Sequence, residues 1–191
     1  MPEPQADGGE LSLEELMSAY QQADPMAAAE LVRRLSSPLY RFFAAPMGNQ
    51  MEADDMLQDM WLRIHRLRHT HRPGEPVLPW VYAIARRVRV DNYRKRRRSS
   101  LEVAVDQLPE LAAQSRAPGG EATFQELLAS LPESQREVLV LLKQQGLSLE
   151  DVARATSCSV GSVKQKVHRA YQSLRALLRP ALPAGRKGAT P

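Results

Sequence analysis

A single cysteine, Cys158, stands in 191 residues, which excludes an internal disulfide and a thiolate cluster for structural zinc. Aromatic residues make up 5% of the chain, with three phenylalanines and two tryptophans, too few for the strands of a β-sandwich or barrel. No apolar run approaches the ~20 residues of a membrane-spanning helix. The acidic start M-P-E-P-Q-A-D-G-G-E lacks the basic and apolar regions of a signal peptide, so the expectation is a soluble, cytoplasmic protein. His65, His69 and His71 are close together but have no carboxylate or thiol set beside them, so no metal and no other cofactor is expected.

What remains is rich in Leu, Ala, Arg, Glu and Gln, all good helix formers, and the fold class expected is all-α. The net charge of +4 hides a block pattern. Residues 1–60 carry a net −8, residues 61–98 a net +10, residues 99–132 a net −4 and residues 133–191 a net +6. Two cationic modules separated by an acidic connector imply two separate contacts on one long polyanion.

Capping and breaker residues divide the chain. Residues 1–10 read as a disordered head, 11–98 as a first small helical domain, 99–121 as a flexible linker, 122–179 as a second helical domain and 180–191 as a loose tail. In the first domain, Ser12 and Glu15 form a capping box for a helix to about Gln22. Asp24-Pro25 opens a second helix to about Ala45, with Leu31, Leu35, Leu39 and Phe42 on one stripe. A third helix spans about 51–68 along Leu57, Trp61, Ile64 and Leu67, and the loop H-T-H-R-P-G-E-P ends it. A fourth runs from about Leu78 to Arg98. In the second domain, helices at about 123–130 and 133–145 precede a Ser148–Asp151 capping box for a helix at 148–156. A turn through Ser157, Cys158 and Ser159 leads to a long helix from Val160 to about Leu178.

The fourth helix carries the strongest signal. Between Trp80 and Ser99 it holds eight basic residues and one acid, Asp91. A helix that begins apolar and aromatic and ends as a cationic rail suits a nucleic acid with stackable bases, and a partly melted duplex best. Read as a bare charge run, Arg94–Arg98 is also compatible with a solvated helix end. The last two helices have helix-turn-helix form, with Val152, Ala153, Val160, Val163 and Val167 packing them together. That leaves Ser162, Lys164, Gln165, Lys166, His168 and Arg169 on the outer side, where such side chains reach base edges and phosphates in a major groove. Cys158 is expected to face the hairpin interior as a small hydrophobe, with no sign of a lowered pKa.

These motifs resemble a known family. L-P-E-S-Q-R-E-V-L-V-L-L-K-Q-Q-G-L-S-L-E-D-V-A at 131–153 is similar to region four of bacterial sigma factors, and S-V-G-S-V-K-Q-K-V-H-R-A at 159–170 to its recognition helix. A-D-D-M-L-Q-D-M-W-L-R-I-H-R at 53–66 resembles the polymerase-docking part of region two, and P-W-V-Y-A-I-A-R-R-V-R-V-D at 79–91 its promoter-melting part. Two such domains and a short linker are the plan of an extracytoplasmic-function (ECF) sigma factor of the sigma-70 family. The resemblance makes 11–98 region 2 and 122–179 region 4.

The resemblance implies a transcription initiation factor without catalytic residues or a small-molecule substrate. Its implied partners are the core of bacterial RNA polymerase (the β′ clamp helices and the β flap), promoter DNA, and an anti-sigma factor, often membrane-anchored. The run 70–87 is similar to subgroups paired with multi-spanning membrane anti-sigma factors. Asp54, Asp55, Leu57, Gln58, Asp59 and Leu62 match the polymerase-binding positions. For the −10 element the matching candidates are Arg72 and Glu75 in the loop, Trp80 and Tyr82 as wedge residues, with Trp80 equally open to a structural role, and Arg86, Arg87 and Arg89 on the helix. Arg94, Lys95 and Arg96 belong to the phosphate-binding run. The −35 element falls to Ser162, Lys164, Gln165, Lys166, His168 and Arg169. Lacking regions one and three, such a factor has limited melting power and stringent promoter choice.

Three positions depart from the family pattern. Arg87 stands where Asn is frequent, Ser157 where the turn usually has Gly, and Gln165-Lys166 where Ser-Arg is frequent; the first and last put base preference in doubt. Three rivals remain: a mimic that titrates an anti-sigma factor without touching DNA, a DNA-binding regulator that acts alone, and a recombinase-like enzyme. The first would lose the basic face, the second leaves 53–66 unexplained, and the third lacks a clustered nucleophile.

Overall fold

The computed structural model describes residues 10–44, 50–103 and 124–178, and every regular element among them is helical. Most of the expected head, linker and tail lies outside these residues.

Four helices build the first unit: α1 (Leu13–Gln21), α2 (Pro25–Ala44), α3 (Gln50–Leu67) and α4 (Val77–Val103), with a short 3₁₀ turn at Arg68–Thr70. The capping box at α1 is present, the Glu15 N–H donating to Ser12 Oγ at 3.2 Å and the Ser12 N–H to Glu15 Oε2 at 2.7 Å. Backbone and side-chain hydrogen bonds from Ser12 hold the Glu15 carboxyl below its ordinary pKa. Asp24 caps α2 by accepting from the Met26 N–H at 2.8 Å. The helix then runs through Pro38 without ending. An interior proline costs about 3 kcal/mol, but Leu31, Leu35, Leu39, Phe42 and Phe43 on the same helix are all buried. At roughly 1.5–3 kcal/mol for each such side chain, burial wins. Phe42 meets Phe43 and Tyr82 edge-on, with centroids at 5.6 and 5.4 Å. The fourth helix continues to Val103, past the expected end near Arg98, because no helix breaker intervenes.

The second unit comprises α5 (Phe124–Ala129), α6 (Glu133–Leu139), α7 (Leu149–Thr156) and α8 (Val160–Leu178). Arg136 ties α5 to α6, its guanidinium donating to the carbonyls of Leu128 at 2.7 Å, Ala129 at 2.6 Å and Leu131 at 2.9 Å. They lie at and just past the end of α5, where helix carbonyls run short of internal partners. The expected single helix at 133–145 is two pieces: after Leu139 the chain widens into a π turn over Val140–Gln144. The Gln145 N–H reaches back five residues to the Val140 carbonyl at 3.1 Å, and Gly146, at φ +68°, ends the helix. The Ser148–Asp151 box caps α7. Val152, Ala153 and Val163 are buried between α7 and α8, with Val160 and Val167 half-buried beside them. Ser157 takes the left-handed conformation, φ 53° and ψ 41°, that the helix-turn-helix turn demands.

The two units share one core. The middle of α4 lies against α7 and reaches α6, so the basic helix is both the last wall of the first unit and the floor of the second.

Candidate nucleic-acid interface

The loop that enters α4 is held from three sides. Gln21 Nε2 donates to the carbonyls of Arg68 at 2.7 Å and His71 at 2.8 Å. Trp80 Nε1 donates to Thr70 Oγ1 at 3.3 Å and its ring meets His71 edge-on at 5.5 Å. Glu14 Oε1 accepts the first N–H of α4, that of Val77, at 3.0 Å. Trp80 is therefore a structural support of the loop. His69 is exposed, and so are Arg72 and Glu75, which pair with each other at 3.7 Å.

Along α4 the candidates divide. Arg87, Arg94, Lys95 and Arg96 are exposed, Arg96 pairing with Glu52 at 2.9 Å. Tyr82, expected as a wedge beside an opened base, is instead 2% exposed. It packs on Phe42 and donates from its hydroxyl to Gln145 Oε1 at 2.7 Å. Burial raises its pKa well above the ordinary phenol value. Arg89 is also inside, its guanidinium 4.6 Å from the centre of the Phe42 ring and 2.6 Å from Glu137 Oε1. Burial pulls its pKa below the usual guanidinium value, against the opposing pull of Glu137 and Glu133; a guanidinium stays charged regardless. Arg86, half-buried, reaches the other oxygen of the same carboxylate at 3.2 Å.

Sequence reasoning passed over Glu137 and Gln145. The available signal was Glu137 itself, four residues before Leu141 on an apolar face, where a carboxylate requires a cationic partner.

On α8, Lys164, Gln165, His168 and Arg169 form an exposed face, with Gln172 Nε2 and His168 Nε2 2.9 Å apart. Ser162 and Lys166 are half-buried. Lys166 turns back, its ammonium 3.3 Å from Cys158 Sγ. Burial raises the Cys158 pKa, but hydrogen bonding from Lys166, with smaller help from Thr156 and Arg86, outweighs it and leaves the thiol below its ordinary value. The expectation of an unperturbed cysteine is corrected on this point.

The third helix presents the remaining candidates. Asp54, Asp55, Gln58 and Leu62 are exposed, Leu62 at 58%, while Leu57 and Asp59 are half-buried. Asp55 and Asp59 line an open cleft of about 420 Å³ between α3 and α4, with Arg63, Asp91 and Lys95 on its other walls.

Known proteins resemble this chain in two stretches. Residues 30–99 match Sigma-70 region 2, and residues 122–174 match Sigma-70, region 4. Over 147 residues the chain is 36% identical to the ECF RNA polymerase sigma factor EcfG of Rhodopseudomonas palustris, covering 74% of this chain and 80% of that one. The structure of CnrH in complex with the cytosolic domain of CnrY aligns with TM-score 0.67 and 25% identity over 86% of this chain and 96% of that one. The sigma factor RpoE in complex with the anti-sigma factor NepR from Bartonella quintana aligns with TM-score 0.64 and 24% identity, over 78% and 95% of the respective chains. With region 2 followed by a helix-turn-helix region 4, the chain belongs to the extracytoplasmic-function sigma factors of the sigma-70 family, which direct RNA polymerase to promoters.

Proposed function

We propose that three surfaces of this sigma factor divide the work of initiation. The stripe Asp54, Asp55, Leu57, Gln58, Asp59 and Leu62 on α3 binds the β′ clamp helices of core polymerase. The loop at 69–76, with Arg72 and Glu75, and the arginines of α4 engage the −10 element. The exposed face of α8, with Lys164, Gln165, His168 and Arg169, reads the −35 element in the major groove. The region 2 and region 4 units are residues 11–98 and 122–179, and 99–121 joins them. The polymerase supplies the chemistry and this chain no catalytic residue, and it acts in the cytoplasm beside the DNA.

The observation that carries this reading is the distribution of exposed charge: Asp54 and Asp55 beside Leu62 on α3, cations outnumbering Asp91 on α4, and Lys164 and Arg169 on α8. Cations suit phosphates, and lysine, glutamine and arginine at the recognition helix suit base edges. An anti-sigma factor of the kind bound to the structural relatives would hold this chain inactive by covering the α3 face.

In vitro transcription with purified bacterial core polymerase, this protein and fragments of its own genome tests the reading. Transcripts starting at discrete sites with shared −35 and −10 elements are expected. Binding to core without any start would leave an anti-sigma-titrating mimic in its place.

A further inference from the structure

Neither aromatic side chain in the first half of α4 is free to meet a base. Trp80 braces the loop through Thr70 and His71. Tyr82 lies inside on Phe42 with its hydroxyl on Gln145. The helix has one more aromatic residue, Tyr93, in its cationic half, and it is 58% exposed. Among the described residues Tyr93 has no hydrogen-bond, ring or cation partner. A lone exposed aromatic residue needs no explanation in itself; here its neighbours supply one. The nearest acid in sequence, Asp91, is taken by Arg63 at 2.7 Å. Arg94, Lys95, Arg96 and Arg97 follow Tyr93 directly, and all are exposed. Arg96 is paired with Glu52, while Arg94, Lys95 and Arg97 form no ion pair with any described residue. Helical spacing sets Arg96 and Arg97 beside Tyr93 on the same side of α4.

We propose that Tyr93 is the base-stacking platform of α4. The neighbouring cations hold the phosphates of an opened strand, and the ring receives the face of one of its bases. A tyrosine ring offers a flat surface and loses only two side-chain rotations when it is fixed. It stacks on any base, because every base has a π face. The contact therefore fixes where the opened strand runs along α4 and leaves the choice of base to other residues, Arg72 and Glu75 of the loop among them. In a closed duplex each base face is covered by its neighbours, so the platform favours the opened strand. Stacking thus moves from the apolar start of the helix, where the fold uses both rings, to the cationic end, where phosphate contacts already position the strand. The platform rests on the assignment of α4 to the −10 element.

The test uses the full chain and two fluorescein-labelled probes, an oligothymidine and an abasic strand of the same length and phosphate count. Anisotropy reads the binding of each at low salt. The wild-type chain should bind the oligothymidine more tightly than the abasic strand. Tyr93→Ala should weaken oligothymidine binding by about tenfold, the size of one lost stack, and leave the abasic strand unchanged. Tyr93→Phe, which keeps the ring, should retain wild-type binding to both. Arg94→Ala and Arg97→Ala should weaken both strands alike, as phosphate contacts do. The exposure of Tyr93 makes a folded variant the expectation, read by far-ultraviolet circular dichroism. An equal effect of Tyr93→Ala on both strands, or no effect on either, would overturn the platform while leaving the cations of α4 on DNA. A Tyr93→Phe chain as weak as Tyr93→Ala would overturn it too, by assigning the contact to the hydroxyl. A wild-type chain that binds neither strand would overturn the assignment of α4 to DNA and the platform with it.

Discussion

Glu14 of α1 caps α4 from a distance of 63 residues, its carboxylate accepting the Val77 N–H at 3.0 Å. The first turn of a helix has N–H groups with no internal partner, and an anionic acceptor there also complements the helix dipole. The start of α4 is thus anchored by α1. Gln21, also on α1, braces the preceding loop.

Removing this cap should loosen the loop and the start of α4 together. Glu14→Ala is expected to cost about 0.5–2 kcal/mol of stability in urea denaturation. Glu14→Gln, which keeps an acceptor, should cost less. Equal losses for the two would mean that charge, not acceptance of the Val77 N–H, is what matters.

The proposed polymerase contact on α3 is open to a triple substitution. Asp55→Ala, Gln58→Ala and Asp59→Ala together should weaken binding to core polymerase while far-ultraviolet circular dichroism stays unchanged. Asp55 and Gln58 are exposed, and the Asp59–Arg63 pair, at 2.9 Å, is half-exposed and worth little to the fold. Arg63 keeps Asp91 as a partner at 2.7 Å. Unchanged affinity for core would remove these residues from the interface.

Recognition by α8 should separate base contacts from phosphate contacts. Lys164→Ala and Arg169→Ala are each expected to reduce use of cognate promoters through the −35 element by about 1–3 kcal/mol. The effect should fall on cognate −35 sequences and spare scrambled ones. A loss of equal size on every sequence would mean that these side chains touch only phosphate.

What the sequence reveals and what it hides follow the range of the interactions. Both capping boxes are legible because Ser12 and Ser148 meet partners three residues away. The left-handed Ser157 is legible through the family resemblance alone, because it stands where that turn usually has glycine. Tyr82 and Arg89 are another matter. Their residue types and spacing are those of a DNA-facing helix, yet contacts with Gln145 and Glu137 in the second unit place them inside. Periodicity along one helix identifies its apolar stripe but says nothing of a second unit folding over the polar side. The lowered Cys158 pKa escaped for a similar reason, since Lys166 was expected to face outward and turns back across the hairpin.

The strained turn should respond to glycine. Ser157 sits at φ 53°, a conformation that costs an L-residue roughly 1–2 kcal/mol and glycine almost nothing. Glycine gives back part of the gain through greater freedom of the unfolded chain. Ser157→Gly is therefore expected to raise stability by about 0.5–1 kcal/mol, read as a higher denaturation midpoint. A lower midpoint than wild type would show that the serine side chain, not the backbone, determines the stability of the turn.

Acid should release the clamp that joins α2 to the residues before α1. Glu30 accepts hydrogen bonds from Arg33 and Arg34, which hold its pKa at about 2 against an ordinary 4.5. Arg34 in turn donates to the Leu11 carbonyl at 2.6 Å. A folded-state pKa below the unfolded one favours the folded protein wherever the unfolded carboxyl is also ionised. The contribution is complete above about 4.5 and is lost as pH falls toward about 2. Melting temperatures of wild type and Glu30→Gln should accordingly differ at neutral pH, converge through that window and coincide below it. A gap that persists to the lowest pH would mean that Gln fails for reasons of packing rather than charge.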